Sequence, residues 1–396
     1  MRFVILLTAA LLAAGESGPD YRPGHIATLP YGGIVWSGEW LQDANGVGCF
    51  TARMANMALQ DYPVAWPKGM DGPGPLYLRP NLPSFRMRMR SNPAHAEIQS
   101  LGGGELAVAW RSGIAQVKKG KGDAIHFGFT YPTLTEIRWE GDVLYAKAFQ
   151  DSFAGSKQAK AWFHWAMRFD QAPADVRIAP VPLKGRAGTV DMAGVSMRFD
   201  APTGGDLMFK VGISWVSGAQ ALKNLDVEIP AWDLAKVVAD SQRIWDEHMA
   251  RLGLGPENPA WLRRVLRSHF CQAAHHLNVF QDVDGTFMGF DEQPRKMDGG
   301  TNRYHLFSGW DVWRGQLPLI GFFRPDVGSD IARSFIDQSE TGKGGFARWS
   351  IAYRESGVME GDPTTSSLGH LWAMGARDFD LPRAVAAIEK NATQPG

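Results

Sequence analysis

Residues 207–252 read LMFKVGISWVSGAQALKNLDVEIPAWDLAKVVADSQRIWDEHMARL, and the spacing of the apolar side chains changes within this stretch. The first part alternates as a β-strand does, because successive strand side chains point to opposite faces. After Pro230 the apolar spacing becomes helical, and Gly253 is placed to end the helix. The residues that share its predicted face are Leu234, Val237, Val238, Ser241, Trp245, His248 and Leu252. The sequence therefore predicts β-structure before residue 230 and helices after it.

Outward from this point, the first half of the chain is rich in Gly, Pro and short alternating segments. Examples are residues 105–110, 143–149 and 197–199. Short strands separated by turn residues favour an all-β layered domain, most simply a β-sandwich. We assign residues 16–229 to this domain.

The second half, residues 230–396, predicts a run of helices. One follows Asn258 as N-cap and Pro259 at the first helical position. Others are expected near 307–323, 327–340, 363–376 and 381–391, with Asp326, Asp362 and Asp380 as caps of the last three. The fold class that follows is α+β and multidomain, a β-sandwich followed by an α-helical domain.

Composition argues against one class of function, the binding of nucleic acid. The 396 residues include 41 Lys and Arg against 41 Asp and Glu, so the net charge is zero and nucleic acid is not an expected partner. The 15 Trp residues admit two interpretations, because flat aromatic rings stack on sugars but also fill cores.

The N-terminus has the pattern of an export signal. Arg2 precedes an apolar run at residues 3–14, and Ala13, Ala14 and Gly15 offer small side chains at a cleavage site. The run is too short to span a bilayer, so we expect no integral membrane protein. Residues 1–15 are predicted to be a signal peptide, and the protein to be periplasmic or secreted.

An irregular insertion at residues 281–306 contains an acidic stretch that invites comparison with a calcium loop. The comparison fails, because an EF-hand places its Gly at the sixth position and Glu at the twelfth, where this stretch has Phe287 and Gln293. Asp284 and Gly285 instead predict a hairpin turn.

Several motifs, in order, resemble glycoside hydrolase family 92. They are VGISWVS at 211–217, ALKNL at 221–225, NVFQDVDG at 278–285, FSGWDVWR at 307–314 and MEGDP at 359–363, with a weaker likeness at 23–32. The resemblance implies a calcium-dependent, inverting exo-α-mannosidase acting on mannose-containing glycans. It also implies a β-sandwich joined through linker helices to an (α/α)6 barrel.

The resemblance also implies substrate-binding residues. Trp310 and Asp311 correspond to a pair that contacts mannose, and Arg354 lies in a segment that contributes an Arg to the site. Without the resemblance, Trp310 and Asp311 would be a core Trp and a helix cap, and Arg354 with Glu355 a surface ion pair.

Catalytic residues do not follow from the sequence. Inversion needs a carboxylic acid and a carboxylate base, and the candidates are Asp311, Glu355, Glu360 and Asp362, with Glu355 the single named candidate. The motifs that carry the acid and the base in the family do not occur in this sequence. Glu360 also stands where the family has an apolar residue, which would be costly unless it is paired or exposed.

Three functions remain open. The helices after residue 230 make about half of an (α/α)6 ring, so we expect either a C-terminally truncated enzyme or a ring completed by a second chain. The calcium ligands are then not all expected on this chain. The alternatives are a non-catalytic carbohydrate-binding or interaction protein, and a different α/α-barrel enzyme that uses Glu355 with Asp311.

Overall fold

The structure is a computed structural model that describes most of the chain between residues 26 and 393. The described residues are 26–32, 34–37, 50–54, 76–80, 85–88, 95–100, 104–118, 124–129, 134–150, 161–178, 181–185, 188–199, 206–274, 277–297, 300–305, 307–342, 345–357 and 360–393. The predicted signal peptide, residues 1–15, lies outside them, as does the start of the motif at 23–32.

Two antiparallel sheets occupy the described residues before residue 215. The first contains β1 (Ile26–Thr28), β2 (Ile34–Ser37), β3 (Phe50–Met54), β4 (Leu76–Pro80), β9 (Ala124–Phe129), β13 (Asp175–Ile178), β14 (Val181–Gly185) and β15 (Gly188–Arg198). The second contains β5 (Phe85–Arg88), β6 (His95–Ser100), β7 (Gly104–Val108), β8 (Ser112–Lys118), β10 (Leu134–Glu140), β11 (Val143–Gln150), β12 (Ala161–Phe169) and β16 (Asp206–Ser214). Their strand orders are β1-β2-β3-β4-β9-β15-β13, with β14 beside β15, and β10-β11-β12-β16-β8-β7-β6-β5.

Alternation along the strands sets the buried face. In β12 the side chains of Phe163, Trp165 and Met167 are buried, whereas Trp162 and His164 are half-buried. The alternating segments at 105–110 and 143–149 are confirmed as β7 and β11, the segment at 197–199 as the end of β15, and the first part of 207–252 as β16, within a residue or two at their ends.

Eight helices and three small sheets follow in the described residues. The helices are α1 (Gly218–Glu228), α2 (Leu234–Ala250), α3 (Ala260–Ala273), α4 (Gly309–Val312), α5 (Gln316–Phe323), α6 (Pro325–Thr341), α7 (Pro363–Met374) and α8 (Leu381–Thr393). The small sheets pair β17 (Asn278–Val279) with β20 (Tyr304–His305), β18 (Thr286–Met288) with β19 (Pro294–Lys296), and β21 (Phe307–Ser308) with β22 (Trp349–Ile351) and β23 (Arg354–Glu355). The α+β class is confirmed.

The first helix begins earlier than the sequence pattern indicates. α1 lies in the stretch assigned to β-structure, and Ser217 caps it by accepting a hydrogen bond from the N–H of Gln220 at 3.1 Å. A Cβ at Gly212 would lie 2.1 Å from the carbonyl oxygen of Ala221, so only glycine lets α1 pack directly on β16. The helix was missed because its buried face includes the polar Asn224, which weakens the apolar pattern.

The predicted face of α2 is confirmed at five positions. Its buried residues are Leu234, Val237, Ser241, Trp245 and His248. The helix begins after Asp233, whose side chain accepts a hydrogen bond from the N–H of Lys236 at 2.9 Å.

Two of the predicted caps are confirmed. Asp362 accepts from the N–H of Thr365 at 3.1 Å, and Asp380 accepts from the N–H of Arg383 at 3.0 Å. Both carboxylates therefore satisfy N–H groups that have no partner within the helix.

The other two predicted caps are wrong. Asp326 lies inside the first turn of α6 and pairs with the guanidinium of Arg324. Asn258 accepts a hydrogen bond from the N–H of Gly255 at 2.9 Å and so closes the preceding loop.

One apolar core runs through both halves of the chain. It includes Trp165 and Phe209 from the second sheet, Phe280 from the insertion and Phe335 from α6. No helix in the described residues is long and apolar enough to cross a membrane.

Candidate functional site

The candidate site is built on the sheet of β21, β22 and β23. Ser308 pairs with Trp349, and Ile351 pairs with Arg354. Paired residues of antiparallel strands project to the same face, as do residues two apart along a strand. Ser308, Trp349 and Arg354 therefore share one face of this sheet.

Glu355 belongs to the opposite face. It pairs with Ser350, which in turn pairs with Phe307, and both of these are fully buried. The Glu355 carboxylate accepts hydrogen bonds from the N–H of Arg348 at 2.6 Å and the N–H of Gly357 at 3.0 Å. The two oxygens thus accept from one backbone N–H before β22 and one after β23.

Trp310 and Asp311 lie in α4, which begins directly after β21. The Trp310 side chain is 42% exposed, and its ring meets the ring of Trp349 edge to face, with centroids 6.3 Å apart. Asp311 is exposed, and the hydroxyl of Ser308 donates a hydrogen bond to its carboxylate. The structure therefore brings Trp310 and Asp311 together beside Trp349, at the end of the strand that leads into them.

The predicted helix at 307–323 is interrupted. A turn at 313–315 separates α4 from α5, and the Trp313 ring stacks on His370 of α7 with centroids 5.5 Å apart. The backbone carbonyl of Trp313 lies 2.9 Å from Nδ1 of the same His370. These contacts hold the end of α4 against α7.

Gly309 allows the close approach on which this arrangement depends. A Cβ there would lie 2.2 Å from the carbonyl oxygen of Arg348 and 2.2 Å from Cγ of Pro363. The FSGWDVWR and MEGDP motifs are therefore in contact, and α4 starts against both β22 and the N-terminus of α7.

Arg354 forms its ion pair with a residue of a separate hairpin. Its Nη2 contacts the carboxylate of Glu292 in the β18–β19 hairpin, while Nε is shielded from solvent and has no hydrogen-bond partner in the described residues. The neighbouring Glu355 is not its partner, so the local surface pair considered from the sequence is wrong.

The remaining carboxylate candidates lie elsewhere. The Glu360 side chain is 98% exposed and 3.8 Å from the guanidinium of Arg348, so no desolvation cost arises. Asp362 caps α7. Of the four candidates, Asp311 alone is exposed and adjacent to Trp310.

A second polar cluster joins three of the resembling motifs. Asp282 is buried and accepts hydrogen bonds from the hydroxyl of Ser214 at 3.0 Å and from Nδ2 of Asn224 at 2.7 Å. Burial raises the pKa of Asp282 to about 7, although the two hydrogen bonds oppose this change. We refer to Ser214, Asn224 and Asp282 as the junction, because they connect β16, α1 and the insertion.

The turn predicted at Asp284 and Gly285 is confirmed, but it is not a hairpin between paired strands, because β17 pairs with β20 and β18 pairs with β19. Gly285 has φ +82°, and its N–H donates to the carbonyl of Asp282 at 2.9 Å. The Asp284 carboxylate pairs with Lys223 at 2.7 Å. In the described part of the chain, no three His, Cys, Asp or Glu side chains converge to hold a metal ion.

Two groups of residues, one at the candidate site and one at the junction, were missed from the sequence. Arg348 and Trp349 flank the site, and the aromatic pair of Trp310 with Trp349 depends on the strand pairing, which no local pattern shows. Asn224 and Asp282 form the junction, although each was assigned only to a motif or a turn. The sequence signal was the polar pair Lys223 and Asn224 between the apolar Leu222 and Leu225 in ALKNL.

Comparison with known proteins supports the resemblance. Residues 220–396 match the model described as the glycosyl hydrolase family 92 catalytic domain, so the likeness inferred from the motifs is confirmed. No curated protein sequence matches significantly.

Solved structures show the same fold. The family GH92 α-mannosidase BT3965 from Bacteroides thetaiotaomicron matches with a TM-score of 0.78 and 17% identity, over 94% of this chain and 55% of that one. The family GH92 inverting mannosidase BT2199 from the same species matches with a TM-score of 0.74 and 16% identity, over 93% of this chain and 53% of that one. The chain thus spans about half the length of these structures.

Proposed function

We propose, from the match of residues 220–396 to the glycosyl hydrolase family 92 catalytic domain, that the protein is a glycoside hydrolase of the inverting α-mannosidase type. The observation that carries the proposal is the exposed Trp310 with Asp311 beside it, on a segment fixed by two of the resembling motifs. An indole ring gives a sugar an apolar surface to stack on, and a carboxylate accepts hydrogen bonds from its hydroxyl groups. The proposed substrates are terminal α-mannosides of glycans.

Arg354 adds hydrogen-bond donors on the side of Trp349. A guanidinium presents five N–H groups and no acceptor, which complements the acceptor carboxylate of Asp311. The neutral net charge of the chain also suits an uncharged glycan. Aromatic surface, acceptor and donor are the groups that a sugar site needs.

Hydrolysis with inversion requires two further groups. A base takes a proton from the water that attacks the anomeric carbon, while an acid protonates the departing glycosidic oxygen. Glu355 is poorly placed for either role, because both its oxygens accept backbone hydrogen bonds. This observation favours a second candidate function, a carbohydrate-binding protein without hydrolytic activity, and release of mannose from a mannobiose separates the two.

Substituting Trp310 with alanine is expected to weaken binding of methyl α-mannoside by about five- to thirtyfold, since stacking on an aromatic ring contributes on the order of 1–2 kcal/mol. Asp311→Asn should weaken it as well, because the amide is a poorer acceptor than the carboxylate. Isothermal titration calorimetry of the full chain measures both effects.

Trp261 provides the matched control for this experiment. It is 37% exposed, close to the exposure of Trp310, but lies on α3 and contributes nothing to the candidate site. Trp261→Ala should leave mannoside affinity unchanged. Equal losses from both Trp substitutions would contradict the assignment of Trp310.

Calcium dependence belongs to the proposed activity, but the described residues do not fit a calcium site. No three acidic or metal-binding side chains converge among them. We therefore expect EDTA to leave mannoside binding by this chain unchanged within error, with EDTA already saturated with calcium as the control. A marked loss of affinity after chelation, restored by calcium, would show that this chain holds the ion.

The finer architecture and the location are part of the same proposal. The two sheets are proposed to form the β-sandwich, and the helices from α3 onward part of an (α/α)6 barrel, completed by further helices or by a second chain. The likeness of the fold to GH92 structures supports this arrangement. The signal-like residues 1–15 support export to the periplasm or the medium.

A further inference from the structure

Backbone strain is concentrated around Arg354. Three described residues other than glycine have positive φ: Tyr31 at 59°, Glu292 at 62° and Ala352 at 50°. Ala352 lies in the two-residue turn just before Arg354, and Glu292 is the ion-pair partner of Arg354. Such strain persists only where the surrounding structure holds it, and it clusters at ligand-binding sites.

The loop that carries Glu292 is held by other residues. The N–H of Gly289 donates to the carbonyl of Gln293 at 3.0 Å, and the N–H of Glu292 donates to the carbonyl of Gly289 at 2.9 Å. Asp291 and Arg295 close the loop with an ion pair at 2.5 Å. The loop therefore does not need the Glu292 side chain for its own conformation, and that side chain is 53% exposed.

The ion pair controls where the Arg354 guanidinium lies and what it can bind. Arg354 is on the face of Trp349, and Glu292 is the acceptor that its Nη2 contacts. Because the carboxylate offsets the guanidinium charge, the pair suits neutral hydroxyl groups better than an anion. Nε is shielded from solvent, but the two Nη groups keep further N–H donors for such a ligand.

We propose that Glu292 is a positioning residue for sugar binding, which holds the guanidinium of Arg354 on the Trp349 face so that its remaining N–H groups bind mannoside hydroxyls. This inference rests on the proposed function. It explains why a glutamate occupies a backbone conformation that favours glycine: the carboxylate is needed where the loop presents it.

Glu292→Gly separates this role from a structural one. Glycine accepts the positive φ without strain, which offsets the greater freedom of the unfolded chain, so the melting temperature should change little. Affinity for methyl α-mannoside should fall about tenfold, because Arg354 loses its charged partner and its orientation. Arg354→Ala should lose a similar factor, and the double variant should show no further loss. Glu292→Asp should recover part of the affinity.

Glu340 supplies the matched control. Its carboxylate forms a bidentate ion pair with Arg383 between α6 and α8, away from the site, so Glu340→Gln should not alter mannoside affinity. If the wild type binds the mannoside and Glu292→Gly binds it with the same affinity, this inference is overturned but the proposed function is not. Absence of mannoside binding by the wild type would overturn the proposed function and this inference with it.

Discussion

Replacing Asn224 with alanine is expected to lower the free energy of unfolding by about 3 kcal/mol or more, because it leaves buried polar groups without partners. The Asn224 side chain donates to the carbonyl of Ile213 at 2.8 Å and to Asp282 at 2.7 Å, and accepts from the N–H of Val283 at 2.8 Å. All three bonds are lost together at a position that is fully buried. Chemical denaturation followed by circular dichroism measures the change.

A substitution of the same kind on an exposed helix face serves as the control. Gln242 on α2 donates to the exposed Asp246 at 2.8 Å, so Gln242→Ala should change stability by no more than about 0.5 kcal/mol. If Asn224→Ala cost no more than this control, the junction would not be the structural connection described above.

Asp282 is expected to make the protein less stable as the pH rises from about 4 to above 7. Its pKa in the folded protein is raised to about 7 from an ordinary 3.8, chiefly by burial, so the folded state binds the proton more tightly than the unfolded chain does. The contribution is fully present below the unfolded pKa and is lost as the pH passes through the folded pKa. A difference of this size corresponds to roughly 4 kcal/mol as an order of magnitude.

Asp282→Asn tests this pH dependence. The amide keeps the shape of the carboxyl but carries no charge, so the variant should gain stability relative to the wild type at pH 8 and lose that advantage at pH 5. Denaturation curves for both proteins across this range give the result. A parallel pH dependence of the two proteins would rule out Asp282 as its source.

Asp284, two residues away, serves as a control because its contribution to stability changes with pH in the opposite direction. Hydrogen bonds from Lys223 and Thr286 hold its pKa below the ordinary value against a desolvation effect that would raise it. It therefore stabilises the fold above its unfolded pKa and loses this effect on acidification. Asp284→Asn should accordingly reduce stability at neutral pH.

The change in the spacing of apolar residues after Pro230 predicted the fold, because the apolar residues of a long amphipathic helix show which face it buries. α2 illustrates this, with its buried face correct at five positions. α1 illustrates the opposite case, because its buried face includes Asn224, whose partners Ile213, Asp282 and Val283 are remote or in another element. A side chain that is buried for its hydrogen bonds leaves no apolar signal in the sequence.

The residues of the candidate site also include some that the sequence could identify and some that it could not. Trp310 and Asp311 are adjacent in sequence, so a motif could identify them. Trp349 reaches Trp310 only through strand pairing, and Glu292 reaches Arg354 from a separate hairpin. Contacts of this kind depend on tertiary structure and could not be predicted from spacing.

The hydrogen bond from the N–H of Trp162 to the Tyr353 hydroxyl, at 2.8 Å, links β12 to the turn that precedes Arg354. Around it the core passes without interruption from Trp165 through Trp215 and Phe280 to Phe335. The segment from residue 220 onward that matches the family model therefore shares its apolar core with the strands that precede it. Cutting the chain at its start would separate Ser214 from Asp282 and expose aromatic surface that the two sheets now cover.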